Sequence, residues 1–279
     1  MNQNLICASS DPATLYLDLL KKCLTRQMFG DAYRLFGRGR RGVLGALFLP
    51  ITELLSFFHL QLVRRVSSDA CVEGRHWPLD AETMIGMKRL DNLQHCVVDV
   101  ITKRTPGDLI ETGVWRGGAT IFMRAVLKAY GDTDRTVWVA DSFQGLPKPD
   151  SKRYPADKGD RLWTIPELAV SVEEVKQNFV RYDLLDSQVR FLIGWFRETL
   201  PDAPIDRLAI LRLDSDMYES TTDALRYLYP KVSVGGYVIV DDYALPGCRA
   251  AIEDFRTAHD VTEKVHRIDW TGVFWQKLR

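Results

Sequence analysis

No sign of charge dominates this chain. Lys plus Arg and Asp plus Glu each number 37, so no net field draws it to nucleic acid, and that class of partner is set aside. Cysteine is sparse. The five thiols, Cys7, Cys23, Cys71, Cys96 and Cys248, contain no C-x-x-C pair and are odd in number, which argues against a disulfide framework and suits reduced thiols in a cytoplasm. The N-terminus lacks a basic segment followed by an apolar core, so no secretory leader is expected. His76 and His95 have no partner at metal-ligand spacing and read as surface or packing residues. The dinucleotide fingerprint G-x-G-x-x-G is missing too, although glycine clusters at one place.

That place is DLIETGVWRGGAT, Asp108 to Thr120. A short apolar run ends at Glu111 and passes through Gly113, Gly117 and Gly118 into a helical pattern. Glycine serves where backbone turns sharply and approaches a ligand, and the helix start offers free N–H groups, so the turn is a candidate ligand cradle. Its spacing, E-x-G-x-x-x-G-G, favours S-adenosylmethionine over NAD.

From Asp108 onward, strands alternate with helices. DLIET, TVWVAD, VRFLI, RLAILRL and GYVIV are five short apolar strands, and KVHRI with GVFWQK adds a closing pair around a tight turn near Trp270 to Gly272. The alternation predicts an α/β fold, a Rossmann-like, mostly parallel sheet with an antiparallel last strand, over 105–279. Ser171 and Glu174 form a capping box for a helix. Phe143 to Val170 is long and unpatterned, a disordered segment or a lid.

Residues 1–104 read as a helical extension. A helix is expected over 12–29, capped by Asp11-Pro12, and another starts directly after Asp80 and runs to Lys103. Between them lies an apolar stretch at 42–63, flanked by Arg38, Arg40, Arg41, Arg64 and Arg65, with Val43, Leu47, Ile51, Leu54, Phe58 and Leu62 on one face. Pro50, Glu53, His59 and Gln61 make spanning a bilayer costly. The expectation is a peripheral helix, bent or split at Pro50. It would pack on the body, on a sister subunit in a homodimer, or in a membrane interface.

Open α/β sheets bind ligands at the carboxyl ends of their strands. Here those ends carry Glu111, Asp141, Asp214 and Asp241-Asp242, with Asp216 just beyond. So many acids would repel one another without a cation, which implies an ion. Oxygen donors suit Mg²⁺, and Asp214, Asp241 and Asp242 could share it if their strands are adjacent. Asp141 lies where a carboxylate can bind ribose hydroxyls. The candidate cofactor-binding residues are Glu111, Thr112, Gly113, Gly117, Asp141, Ser142 and Gly194.

Several stretches resemble the macrocin O-methyltransferase (TylF-type) family: TPGDLIETGVWRGG, RHWPLDAETMIGMKRLDNLQ, VWVADSFQGLP, IGWFRETLP and LRLDSDMYESTTDALRYLYPKVSVGGYVIVDDY. The similarity runs from about Arg75 to the C-terminus, with a weaker echo in YLDLLKKCLT. It implies a class I, Mg²⁺-dependent methyltransferase that uses S-adenosylmethionine to methylate a sugar hydroxyl on a small-molecule glycoside. On the same resemblance, Asp214, Asp241 and Asp242 would hold the metal, Asp216 would be the general base, and Glu111 and Asp141 would contact the cofactor. The arginine-flanked stretch from Gly39 to Arg65 departs from the family and raises a glycolipid acceptor as a second option. Two rival readings remain at this point: a metal-dependent glycosyltransferase using the D-x-D at 214–216, and a non-catalytic membrane-surface protein.

Overall fold

Short aliphatic runs bounded by turn residues pair into one seven-stranded sheet. The computed structural model describes residues 11–29, 33–35, 50–51, 54–55 and 57–279. The strands of this sheet are β3 (Asp108–Thr112), β4 (Val137–Asp141), β5 (Val189–Ile193), β6 (Leu208–Leu213), β7 (Val232–Val240), β8 (His266–Arg267) and β9 (Val273–Gln276). Their spatial order is β5-β4-β3-β6-β7-β9-β8. β3 to β7 run parallel, and β9 lies antiparallel between β7 and β8. The expected mostly parallel sheet with an antiparallel last strand is therefore present. A separate two-stranded ladder joins β1 (Tyr33–Leu35) to β2 (Val63–Arg65) in the N-terminal extension.

Helices cover both faces, because strands buried on two sides need apolar cover on each. On one side α1 (Pro12–Leu24), α3 (Met87–Thr102), α4 (Gly118–Ala129) and α5 (Val172–Arg181) pack with Leu109, Ile210 and Ile239. On the other, α7 (Tyr218–Leu228) and α8 (Pro246–Ala258) pack with Ile110, Leu211 and Val240. Short helices α2 (Ser68–Val72) and α6 (Phe196–Thr199) fill connections. Leu17, Leu20 and Leu24 of α1 and Leu90, Leu93 and Val97 of α3 lie in the same apolar cluster as the sheet, so the extension shares its core with the domain that follows. Burial of each such side chain stabilises by roughly 1.5–3 kcal/mol.

Local chemistry sets the boundaries. Asp11 accepts from the backbone N–H of Ala13 and Thr14 (3.4 and 3.2 Å) with Pro12 in the first turn, and Ser171 Oγ accepts from Glu174 N at 3.2 Å. Two expected boundaries are corrected: α1 ends at Leu24, with only a 3₁₀ turn at Gln27–Phe29 beyond it, and α3 begins at Met87, not just after Asp80. Thr83 Oγ1 takes the N–H of Ile85 at 3.2 Å, while Glu82 bonds through its N–H to Leu24 O and through its carbonyl to Gly118 N. These bonds tie 81–86 to α1 and α4 and leave it without helical pairing. The segment 143–170 is ordered, with single 3₁₀ turns at Pro155–Asp157, Leu162–Thr164 and Pro166–Leu168.

Half of the apolar stretch at 42–63, including all of 42–49, lies outside the described residues. At its described end Leu54, Phe57 and Phe58 are exposed. Among the described residues no helix is long and apolar enough to cross a membrane.

Candidate active site

The chain leaves β3 for β4 and β5 on one side, then returns across it to β6 and β7. The connections diverge at the β3/β6 boundary, and such a reversal opens a crevice at the strand ends. A cleft lies there, lined among others by Met84, Gly113, Trp115, Asp141, Ser142, Gly194, Trp195, Asp214 and Asp216. The sequence-derived candidates Gly113, Asp141, Ser142, Gly194, Asp214 and Asp216 thus share one space. Glu111, Thr112, Gly117, Asp241 and Asp242 lie outside its lining. Thr112 Oγ1 bonds Ser215 Oγ at 3.1 Å, which ties the end of β3 to the turn after β6.

The glycines serve protein packing as much as any ligand. A Cβ on Gly113 would sit 1.8 Å from the carbonyl oxygen of Asp214, and one on Gly118 would sit 2.5 Å from that of Glu82. Gly113, at φ +85°, therefore lets the ends of β3 and β6 approach each other. Three non-glycine residues in turns at strand ends also lie in the left-handed region: Trp115 after β3, Phe143 after β4 and Asp216 after β6. Such conformations cost free energy and cluster at functional sites.

Asp141 fixes two of these turns. Its Oδ2 accepts Val114 N at 2.8 Å and its Oδ1 accepts Phe143 N at 2.7 Å. Burial raises its pKa, and those backbone bonds oppose the rise.

Period-two alternation puts Glu111, Arg212 and Asp241 on one face, since Glu111 registers with Arg212, Arg212 with Ile239, and Asp241 follows two residues later. Arg212 is fully buried. One Nη donates to Glu111 Oε1 and, at 2.8 Å, to Asp214 Oδ2, and the other donates to Asp241 Oδ1. Arg89, reaching in from α3, contacts Asp241 Oδ2 and pairs with Asp269 Oδ2 at 2.9 Å. Burial works against both cations, but the acids around them outweigh it and raise their pKa values.

Asp216 and Asp242 have no such arginine partner among the described residues. Asp242 Oδ2 accepts the backbone N–H of Asp216 at 3.3 Å. Burial, reinforced by Asp214, Asp160 and Asp241, pushes Asp216 up to about 8. Burial and repulsion from Asp216, Asp214 and Asp241 push Asp242 well above the usual carboxylate range. Asp214 rises too, through burial first and Asp241 second. Glu111 is pushed up to about 8 by burial, against the pull of Arg212. A cation would relieve this crowding. Asp214, Asp241 and Asp242 each offer a carboxylate oxygen, all within 4.8 Å of one another, so the donor set fits a hard divalent ion.

Sequence reasoning missed Arg89, Arg212 and Asp157. A signal existed for Arg212: an arginine inside the otherwise aliphatic strand LAILRL needs buried acid partners. Asp157, in the supposedly unpatterned segment, is buried and accepts the N–H groups of Tyr218 and Glu219 at the start of α7.

The chain is similar to known proteins along nearly its whole length. The family model described as Macrocin-O-methyltransferase (TylF) matches residues 13–277. The chain is 58% identical over 274 residues to a demethyldecarbamoylnovobiocin O-methyltransferase from Streptomyces niveus, covering 97% of this chain and 96% of that protein. It is 49% identical over 269 residues to the 8-demethyl-8-(2,3-dimethoxy-alpha-L-rhamnosyl)-tetracenomycin-C 4'-O-methyltransferase of Streptomyces olivaceus, covering 96% and 94%. Among solved structures, the O-methyltransferase NovP superposes with a TM-score of 0.83 at 49% identity, over 96% of this chain and all of that one.

Proposed function

The chain belongs to the macrocin O-methyltransferase family, and from that premise we propose that it methylates a sugar hydroxyl of a glycosylated natural product. The methyl donor is S-adenosylmethionine. In this reading Mg²⁺ is held by Asp214, Asp241 and Asp242, and Asp216 is the general base. The observation that carries it is the cluster of three carboxylate oxygens within 4.8 Å, one of them on Asp214, which with Asp216 also lines the cleft containing Gly113, Asp141 and Gly194. Support for the acceptor class comes from the relative named for 4'-O-methylation of a rhamnosyl tetracenomycin. The same acids account for the D-x-D at 214–216, so a glycosyltransferase role is not needed to explain it.

The mechanism follows from what each residue can do. Gly113, Asp141, Ser142 and Gly194 would orient the donor at the β3, β4 and β5 ends. A bound divalent ion would supply positive charge that favours ionisation of the acceptor hydroxyl. Asp216 would take the hydroxyl proton as the oxygen bonds to the methyl carbon and the carbon–sulfur bond breaks. The 143–170 segment, bonded to Trp115 Nε1 through Glu167 O at 2.9 Å, would keep water out and hold the reactants in line.

The test is mass spectrometry of a rhamnosyl polyketide glycoside after incubation with the purified protein, labelled S-adenosylmethionine and Mg²⁺. The expected product carries one labelled methyl on the sugar, and EDTA should abolish its formation until Mg²⁺ is returned. Full turnover in chelator would remove the metal from the mechanism, and label on the aglycone would remove the sugar as acceptor.

A further inference from the structure

We propose that Arg89 and Arg212 are positioning residues for the cation site, two resident guanidinium groups that aim Asp241 and Asp214 at the ion. The inference rests on the reading of Asp214, Asp241 and Asp242 as its ligands. Both oxygens of Asp241 are gripped, Oδ1 by Arg212 and Oδ2 by Arg89, which fixes the plane of that carboxylate. Arg212 also takes Asp214 Oδ2 at 2.8 Å, leaving Oδ1 without an arginine partner among the described residues. Carboxylate oxygens carry two lone pairs each, so a gripped oxygen still has one to offer a cation.

The path of Arg89 is built for it. The side chain crosses from α3 between two glycines: a Cβ on Gly74 would come within 2.4 Å of Arg89 Nη2, and one on Gly272 within 3.1 Å of Cδ. At the far end Nε pairs with Asp269 Oδ2 at 2.9 Å and Nη2 donates to Gly74 O at 3.2 Å. Asp269 is itself held, its Oδ1 accepting the N–H groups of Thr271 and Gly272 at 2.9 and 2.7 Å. Thr271 Oγ1 closes the circuit by donating to Asp241 O at 3.0 Å.

Stability alone is a poor reason for such a network. Burying ions carries a desolvation cost, and apolar side chains of similar volume often stabilise a core as well or better. What apolar packing cannot do is point a carboxylate. A planar fork can, and a lysine lacks that geometry. The arrangement also gives the N-terminal extension a part in the chemistry, since Arg89 lies on α3 and outside the sheet.

The test uses the full chain with S-adenosylhomocysteine bound and reads Mn²⁺ affinity by electron paramagnetic resonance. Loss of the hydrogen-bonding partners behind metal ligands typically weakens binding about 10–100-fold, and that is the expectation for Arg89→Met, with partial recovery in Arg89→Lys. S-Adenosylhomocysteine affinity measured without metal should stay as in the wild type. Asp269→Asn removes the charge that anchors Arg89 while keeping Oδ1 for the turn, so it should weaken Mn²⁺ in the same direction by a smaller factor. It serves as the probe if Arg89→Met does not fold. Wild-type Mn²⁺ affinity in the folded variants, with only the melting temperature lowered, would overturn the proposal and leave the arginines as fold supports. Absence of Mn²⁺ binding in the wild type would instead sink the metal reading itself.

Discussion

Asp157 caps α7 from outside that helix: its two carboxylate oxygens accept the N–H groups of Tyr218 and Glu219 at 2.6 and 3.0 Å. The middle of the 143–170 segment is thereby tied two residues beyond Asp216. Asp157→Ala should cost about 0.5–2 kcal/mol, the usual worth of a helix cap, because it strands one buried and one part-buried donor. Thermal unfolding reads that loss. Hydrogen exchange across 143–170 should quicken in the same variant, and unchanged exchange there would mean that other contacts hold the segment down.

Asp216→Asn should lower kcat by about 10²–10⁴-fold, the usual worth of a general base. Asn tolerates the left-handed conformation as Asp does, so the φ of +56° should survive the change. S-Adenosylhomocysteine affinity by calorimetry should be unaffected. A near-normal kcat would reduce Asp216 to an acid at the start of a helix.

Two glycines with the same backbone handedness should respond unequally to alanine. Gly131, at φ +68°, has nothing within 4 Å of a built Cβ, so Gly131→Ala should cost only the left-handed conformation, about 1–2 kcal/mol. Gly113→Ala would drive a methyl to 1.8 Å from Asp214 O and must displace the end of β6. It should melt lower than Gly131→Ala and bind Mn²⁺ more weakly. Equal melting temperatures would show that the two strand ends part without penalty.

Arg124 holds Asp186 through Nε at 3.0 and 3.1 Å and through Nη2 at 2.6 Å, and that bond depresses the Asp186 pKa. A carboxylate lowered on folding contributes stability above its unfolded pKa of about 3.9 and loses it as pH falls through the folded value. The carboxylate is 36% exposed, so solvent screening keeps the gain below about 1 kcal/mol. Urea melts should show Asp186→Asn less stable than wild type at neutral pH, with the gap closing once acid has protonated Asp186. A gap that persists in acid would point to lost packing.

The sheet was legible because its strands are short aliphatic runs with acids at their ends, a pattern that survives without knowledge of contacts. The convergence of Asp214, Asp241 and Asp242 followed from strand adjacency alone. The electrostatics were only half legible. Repulsion among the acids led directly to an inferred ion, yet part of it is answered by Arg212 and by Arg89, which lies 152 residues from Asp241. Gly113 and Gly118 signalled close approach correctly, but the approaching atoms are Asp214 O and Glu82 O. The start of α3 was misplaced because Thr83 and Glu82 spend their hydrogen bonds on neighbours that no local pattern reveals.

The span of these contacts also dictates when the site can exist. Arg89 awaits Asp269, and Trp270 Nε1 reaches back 197 residues to the carbonyl of Glu73 at 2.9 Å. Asp269 and Trp270 lie in the turn leading into β9, which itself fills the gap between β7 and β8. A chain emerging from the ribosome N-terminus first can fold β3 to β7 while that turn is still in the exit tunnel, but the Arg89 anchor cannot yet form. Non-local pairing of this kind is slow to close, so the proposed cation site should mature last, however early the strand ends around Gly113 and Asp141 take shape.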